Sequence, residues 1–150
     1  MVSLTRPHEI PATRTPLFQM KILTIKEQND LSGFEVFLNK VSNELAAAIC
    51  KKFHAYAEIN EIYIGNSLKI LKPRIWGYKG TIYKLRVDCG KESARILFAK
   101  TPHNDIVLLH GFLKKTRKTP NKDAQIAMRN YERLKNNVEV TQFELAKYWS

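Results

Sequence analysis

Hydrophobic positions recur at helical spacing in the first half of the chain. Between residues 34 and 59, apolar side chains repeat every three or four positions, which predicts two amphipathic helices. Ser32 and Glu35 stand at capping-box spacing, and the first helix then carries Phe34, Phe37, Leu38 and Val41 on one side. The second helix spans residues 43–59, and its apolar stripe consists of Leu45, Ile49, Phe53, Tyr56 and Ile59. The two form a hairpin or one long bent helix.

Strand-like patterns flank and follow these helices. Residues 18–25 (FQMKILTI) predict a first strand, and residues 60–80, rich in Gly, Asn and Pro, predict a loop with short extended pieces. Three β-rich runs follow at residues 82–88, 94–99 and 105–112. The segments between them are short and contain Gly, Pro and Asn, which predicts an antiparallel three-stranded meander.

The last third of the chain adds helices and completes an α+β fold. Thr119 as N-cap and Pro120 as first residue predict a helix to about Leu134. Thr141 and Glu144 resemble a second capping box, which predicts a last short helix. We therefore expect three regions: an N-terminal extension at 1–19, a domain at 20–137, and a C-terminal short helix or tail at 138–150. Removing residues 1–19 should leave the domain folded.

The turns of the meander predict which side chains face each other. A turn about Gly90 pairs Arg86 with Arg95, and a turn about residues 102–103 places His110 opposite Arg95. Lys84, Arg86, Arg95 and His110 then share one sheet face. The opposite, apolar face covers the helices with Tyr83, Leu85, Val87, Ala94, Ile96, Phe98, Val107 and Leu109. Like charges directly opposite each other destabilise a sheet, so this row of cations predicts an anion bound between them. The alternatives are that Asp88 neutralises the cations or that their charged groups extend into water.

The charge distribution sharpens this expectation. The 150 residues carry a formal net charge of +11, and residues 69–137 alone hold seventeen Lys and Arg against five Asp and Glu. Such localisation is typical of a site for a polyanion, with nucleic acid first, although an acidic protein partner or a solvated face would look the same. Four cations follow the third strand and suit phosphate contacts: Lys114, Lys115, Arg117 and Lys118. Nearby aromatics serve either base stacking or packing: Trp76, Tyr78, Tyr83 and Phe112.

Several function classes lack their usual signatures. The chain contains no Walker motif, GxGxxG, HExxH or GxSxG, and its four histidines have no metal-ligand spacing. We therefore expect no cofactor and no metal site. Cys50 and Cys89 match neither a disulfide framework nor a zinc pattern, and no secretory signal or transmembrane run is evident. These features predict a reduced, cytoplasmic protein with no membrane association.

One stretch resembles a known family. The run Leu108-Leu-His-Gly-Phe-Leu-Lys-Lys-Thr-Arg-Lys-Thr-Pro120 is similar to the segment before the last helix of phage-derived HigB-type toxins, in the RelE/ParE superfamily. The resemblance is good over residues 69–135, and it includes Gly80–Arg86 and Ala94–Phe98. It implies the toxin of a type II toxin–antitoxin module, with the RelE-like order of strand, helix pair, meander and helix. It also implies a helix-turn-helix antitoxin, and mRNA on the ribosome as substrate.

The resemblance implies roles for the cations. Metal-free mRNA cleavage needs fixed cations at the phosphate and groups that move protons. Arg95 and Arg86 would hold the scissile phosphate, with Lys114 as a second contact, and His110 would be the base or a structural residue. Lys84 or Lys114, with a lowered pKa, is the alternative base. The RNA-binding set is Lys84, Lys115, Arg117, Lys118 and Tyr83.

Two positions depart from the family pattern. Lys84 stands where an acidic residue is usual, and Phe98 where tyrosine is common. These departures favour an alternative function, a basic module that binds RNA or the ribosome without cutting and is neutralised by an antitoxin.

Overall fold

The computed structural model describes residues 19–28, 31–63 and 65–149, and it confirms a mixed α+β fold. Six strands form one sheet: β1 (Ile22–Ile25), β2 (Leu68–Leu71), β3 (Ile82–Cys89), β4 (Glu92–Lys100), β5 (Ile106–Leu113) and β6 (Val140–Gln142). The α-helices are α1 (Gly33–Lys40), α2 (Asn43–Ile59), α3 (Pro73–Trp76) and α4 (Asn121–Lys135). The strand order is β2-β3-β4-β5-β1-β6, and β1 runs parallel to β5 while every other pair is antiparallel. Among the helices described, none is long and apolar enough to cross a membrane.

The first two helices begin where the sequence predicts. Ser32 and Glu35 form both halves of the capping box of α1. Val41 is extended, and Ser42 accepts a hydrogen bond from the Leu45 amide at the start of α2, so the pair are separate helices and not one bent helix. The predicted stripe of α2 is buried from Leu45 to Tyr56. Ile59 is half-exposed because it is the last residue of the helix.

The meander is confirmed, but only its first hairpin has the predicted register. Arg86 pairs with Arg95 as expected, whereas Arg95 pairs with Phe112 and not with His110. Two extra residues cause the shift. The turn closes between Thr101 and Asp105 around Asn104, whose φ is 70°, and Leu109 is the additional residue of a β-bulge.

Both faces of the sheet are covered, which the prediction missed. Helices α1 and α2 cover one face over Leu85, Ile96 and Phe98, and α4 covers much of the other. Val107 and Leu109 belong to the α4 side, so their predicted placement beside Leu85 is wrong. A one-residue change in the turn moves a strand's alternate side chains to the opposite face.

Several boundaries also differ from prediction. The segment predicted as a loop with short extended pieces contains the short strand β2, as expected, and also the short helix α3, which was not expected. The helix expected from Thr141 is wrong, because Thr141 lies in β6, paired with β1. A 3₁₀ helix follows at Leu145–Tyr148. Pro120, and not Thr119, is the N-cap of α4. The first strand begins at Ile22, and residues 1–18 lie outside the described part, so the predicted extension and the division at 20–137 stay predictions.

Candidate functional site

A small cavity on the α4 side of the sheet collects six cationic side chains. Its volume is about 120 Å³, below the roughly 300–1,000 Å³ of pockets that enclose small-molecule ligands. We call it the cationic cavity, and its lining consists of Asn66, Ser67, Lys69, Lys84, Arg86, Arg95, Lys114 and Arg117. Among the described residues, no Asp or Glu lines it. A compact anion such as a phosphate group matches both its size and its charge.

Strand alternation explains how these cations meet. Lys69 pairs with Lys84 between β2 and β3, and Arg86 pairs with Arg95 between β3 and β4. Side chains at alternate strand positions point to the same face, so the four project together while their neighbours enter the core. The Lys114 amide donates to the Ser93 carbonyl at 2.7 Å, which brings the loop after β5 beside them.

Hydrogen bonds fix the two arginines. Arg86 Nε donates to Asp88 Oδ2 at 2.8 Å, and Arg95 Nη1 donates to Ser93 Oγ at 2.8 Å. The Ser93 hydroxyl in turn donates to Asp88 Oδ1. Asp88 thus neutralises the arginines in part, one of the alternatives left open by the sequence. One carboxylate beside six cations still leaves a large positive excess.

Crowding of positive charge and burial lower the pKa values of Lys84, Lys114 and Arg95. Burial lowers the pKa of Lys84, and repulsion from Lys114 and Arg95 lowers that pKa further. Burial and the nearby Arg95 and Lys69 likewise lower the pKa of Lys114. The pKa of Arg95 falls through burial and the charge of Arg86, partly offset by Asp88. Crowded cations that disfavour their own charge are stabilised when an anion binds between them.

The segment Lys114–Lys118 (KKTRK) contains residues that line the cavity and residues that do not. Lys114 and Arg117 line the cationic cavity, and Lys114 Nζ donates to the Arg117 carbonyl at 2.8 Å. Lys115 and Lys118 are exposed and do not line it. Lys84 Nζ reaches Thr119 Oγ1 at 3.0 Å, which holds the end of the segment against β3.

Two predicted site residues lie elsewhere. His110 pairs with Leu97 on the cavity side of the sheet, but its Nε2 lies 2.7 Å from Asp123 Oδ1 of α4, and it does not line the cavity. Tyr83 packs on the opposite face, where its ring stacks on Phe98 with centroids 5.2 Å apart. The predicted RNA contact through Tyr83 is therefore not supported by its position.

Phe98, where tyrosine is common in the family pattern, also lies on the sheet face opposite the cationic cavity. Phe98 is fully buried between Phe53, Tyr56 and Tyr83 on the α2 side. A tyrosine hydroxyl at this position would point into that core and away from the cationic cavity.

Sequence reasoning missed the contribution of β2. Lys69 of β2 lines the cavity with Asn66 and Ser67, which precede that strand, yet all three fall in the segment predicted only as a loop with short extended pieces. The run Leu68-Lys69-Ile70-Leu71 offered only a four-residue apolar pattern with one interruption, too short to identify a strand by alternation.

Comparison with known proteins places this site within a family. No curated protein matches the chain significantly. The family model described as Phage derived protein Gp49-like (DUF891) matches residues 37–132, well over half of the chain and all of the cavity lining. The chain belongs to this Gp49-like family of phage-derived proteins, which is similar to the toxins of toxin–antitoxin systems.

Proposed function

We propose that the protein is the toxin of a type II toxin–antitoxin module, in the HigB-like branch of the RelE superfamily. It inhibits translation by cutting mRNA on the ribosome, and its cationic cavity holds the scissile phosphate. The observation that carries this proposal is the convergence of six cations on a phosphate-sized cavity. Membership of the Gp49-like family supports it, because some toxins of this kind are endoribonucleases.

Arg95 is the best-placed contact to the phosphate. Both of its hydrogen bonds within the described residues use Nη1, toward Ser93 Oγ and the Ala94 carbonyl. Its Nη2 and Nε are left for the anion. Guanidinium groups bind phosphate oxygens in pairs and remain charged throughout the reaction, so Arg95 also stabilises the extra charge of the transition state.

Lys84 and Lys114 supply the proton transfers in this proposal. A lowered pKa gives each amine a larger neutral fraction, and a neutral amine takes the proton of the ribose 2′-OH. The 2′ oxygen then forms a bond to phosphorus while the bond to the 5′ oxygen breaks. The second lysine, as an ammonium, protonates the departing 5′ oxygen, which leaves a 2′,3′-cyclic phosphate and a 5′-hydroxyl. His110, bound to Asp123, keeps α4 in place instead.

The alternative is a basic module that binds RNA or the ribosome without cutting. It is favoured by one observation: the titratable groups that line the cavity, within the described residues, are all amines and guanidinium groups. Neither a carboxylate nor a histidine is among them. Such a lining binds phosphate whether or not it also moves protons.

Primer extension on cellular mRNA, after brief induction of the protein, separates the two functions. Cleavage predicts new 5′ ends within translated frames, together with arrest of protein synthesis. Arg95→Ala should abolish both at equal protein level, whereas Lys51→Ala, which removes an exposed cation of α2 on the other side of the sheet, should abolish neither. Arrest without new 5′ ends would support the non-cutting module, and full arrest by Arg95→Ala would refute the assigned site.

An antitoxin completes the proposed module. We propose a helix-turn-helix protein with an acidic segment that covers the cationic cavity, as the local excess of positive charge favours. The resemblance implies that this antitoxin is encoded beside the toxin, so co-expression with the neighbouring reading frame should restore growth and prevent RNA binding in vitro. Restored growth without a stable complex of the two proteins would contradict direct neutralisation.

A further inference from the structure

A second concave surface lies on the same sheet face, between α3 and α4. Its volume is about 490 Å³, and its lining includes Trp76, Tyr78, Lys79, Arg129, Glu132 and Lys135. We call it the α3–α4 groove. Trp76 and Tyr78 pack against the core on the α4 side, the side on which the cationic cavity also opens.

The chemistry of this groove combines aromatic rings with positive charge. Three cations line it against a single carboxylate, and Glu132 already lies 3.9 Å from Lys135. The Tyr78 hydroxyl donates to the Leu71 carbonyl and accepts from the Ile82 amide. These two hydrogen bonds hold the Tyr78 ring in place on one side of the groove. Trp76 is only partly buried, which leaves part of its ring system at the surface.

Lys72 lines neither the groove nor the cationic cavity, but it lies close to residues of both. Its positive charge contributes to the lowered pKa of Lys84, and its carbonyl accepts the Trp76 amide at 3.1 Å. Lys79 and Lys84 are five residues apart, so their backbones are separated by at most about 17 Å. At a stacked spacing of about 3.4 Å per nucleotide, this upper bound corresponds to about five nucleotides.

We propose that the α3–α4 groove binds the single-stranded RNA that flanks the phosphate in the cationic cavity. One base stacks on Trp76, while Arg129 and Lys79 contact backbone phosphates. Aromatic rings beside cations are the usual platform for single-stranded nucleic acid, and stacking tolerates any base. This inference rests on the proposed function, because it extends the path of the same RNA.

The two tryptophans of the chain allow a direct test. Trp149→Phe leaves Trp76 as the only tryptophan, and Trp76→Phe leaves only Trp149, which lies against His54 on the α2 side. The probe is a 12-nucleotide RNA with 2′-O-methyl groups, which cannot be cleaved, compared with a 2′-O-methyl dinucleotide. The 12-mer should quench the fluorescence of Trp76 in the first variant and leave that of Trp149 in the second unchanged. The dinucleotide is too short to reach from the cavity and should quench neither.

Affinity measurements with labelled 12-mer provide an independent readout. Trp76→Ala should weaken binding by about five-fold to one-hundred-fold, and Trp76→Phe should restore most of the loss, because the phenyl ring still stacks. Dinucleotide binding should be the same in both variants. This comparison needs no change at Trp149, so it stands if Trp149→Phe fails to fold.

The outcomes separate this inference from the proposed function. If the 12-mer binds with unchanged affinity to Trp76→Ala and leaves Trp76 unquenched, the groove is not the RNA path, although the cavity remains a phosphate site. If no RNA binds at all, the proposed function fails as well. Quenching by an acidic peptide but not by RNA would overturn the inference in favour of a protein partner.

Discussion

Lys114 and Lys118 belong to one short basic segment, yet the structure assigns them different roles. Lys114 lines the cationic cavity, and Lys118 is exposed outside it. We therefore predict that Lys114→Gln weakens RNA binding and that Lys118→Gln, the matched control, leaves it nearly unchanged. A solvated basic loop would show equal effects at the two positions.

The size of the effect follows from the loss of one phosphate contact. Each such contact to a single strand contributes about 0.7 to the slope of log affinity against log salt. The slope for Lys114→Gln should be flatter by this amount. When salt rises from 50 to 200 mM, the fold-loss in affinity of the variant should therefore be about 2.6 times smaller than the fold-loss of the parent. The slope for Lys118→Gln should match the parent.

Stability should not fall in either variant. The charge of Lys114 lowers the pKa of Lys84, and its removal relieves this repulsion. Lys84 should then titrate closer to the ordinary lysine value, while the free energy of unfolding changes by no more than about 0.5 kcal/mol. Fluorescence anisotropy with a labelled RNA at several salt concentrations, together with a thermal melt, checks both. Equal salt slopes for the two variants would refute the assignment of Lys114 to the cavity.

Two further predictions test the scaffold beneath the site. Gly111→Ala should destabilise the fold by about 1–3 kcal/mol in a denaturant melt, because an added Cβ would lie 2.6 Å from the Phe37 ring. The control Gly33→Ala should be neutral or stabilising, because its added Cβ has nothing within 4 Å. Equal effects of the two variants would contradict the tight packing of Gly111 on α1. The bidentate pair with Arg133 lowers the Glu27 pKa below 4.5, so its contribution is complete above that pH and is lost as the pH falls through the folded-state pKa. Both side chains are about one-third exposed, so this ion pair should contribute about 1 kcal/mol or less to the free energy of unfolding. Between pH 5 and 3, Glu27→Gln should therefore lose less stability than the parent protein. Identical pH profiles of the two proteins would contradict this assignment.

Much of the fold was predictable because its signals are local. The capping box of Ser32 and Glu35 and the stripe of α2 depend on residues within a few positions of one another. The pairing of Arg86 with Arg95 follows from a tight turn at Gly90, where φ is 61°. In each case, chain geometry over a short distance decides the outcome.

The second hairpin and the edge strands depend on features that a local pattern does not contain. Asn104 extends the turn and Leu109 forms a bulge, and together they move Arg95 from His110 to Phe112. Likewise, β6 is a strand because β1 offers it an open edge, although Thr141 resembles a helix cap. Propensity yields to tertiary pairing at such positions.

The candidate site shows the same division. Arg86, Arg95 and Lys84 were predicted to share a face because strand alternation fixes it, and that prediction is confirmed. Lys69 was missed because it reaches the site only through pairing of β2 with β3. His110 was misplaced relative to Arg95 because the longer turn and the bulge shift the register of β5. Its contact with Asp123 was missed because that residue lies on α4, a separate element that packs onto the sheet.

The most direct test of the central claim is whether a phosphodiester binds at Arg95. Nuclear magnetic resonance resolves the Nε–Hε groups of arginine side chains, and Arg133, held by Glu27, is an internal control far along α4. On titration with a 2′-O-methyl dinucleotide, the Arg95 signal should shift and saturate, while the Arg133 signal stays in place. A signal of Arg95 that does not move, in a protein that still binds the dinucleotide, would contradict the claim that the cationic cavity is the phosphate site.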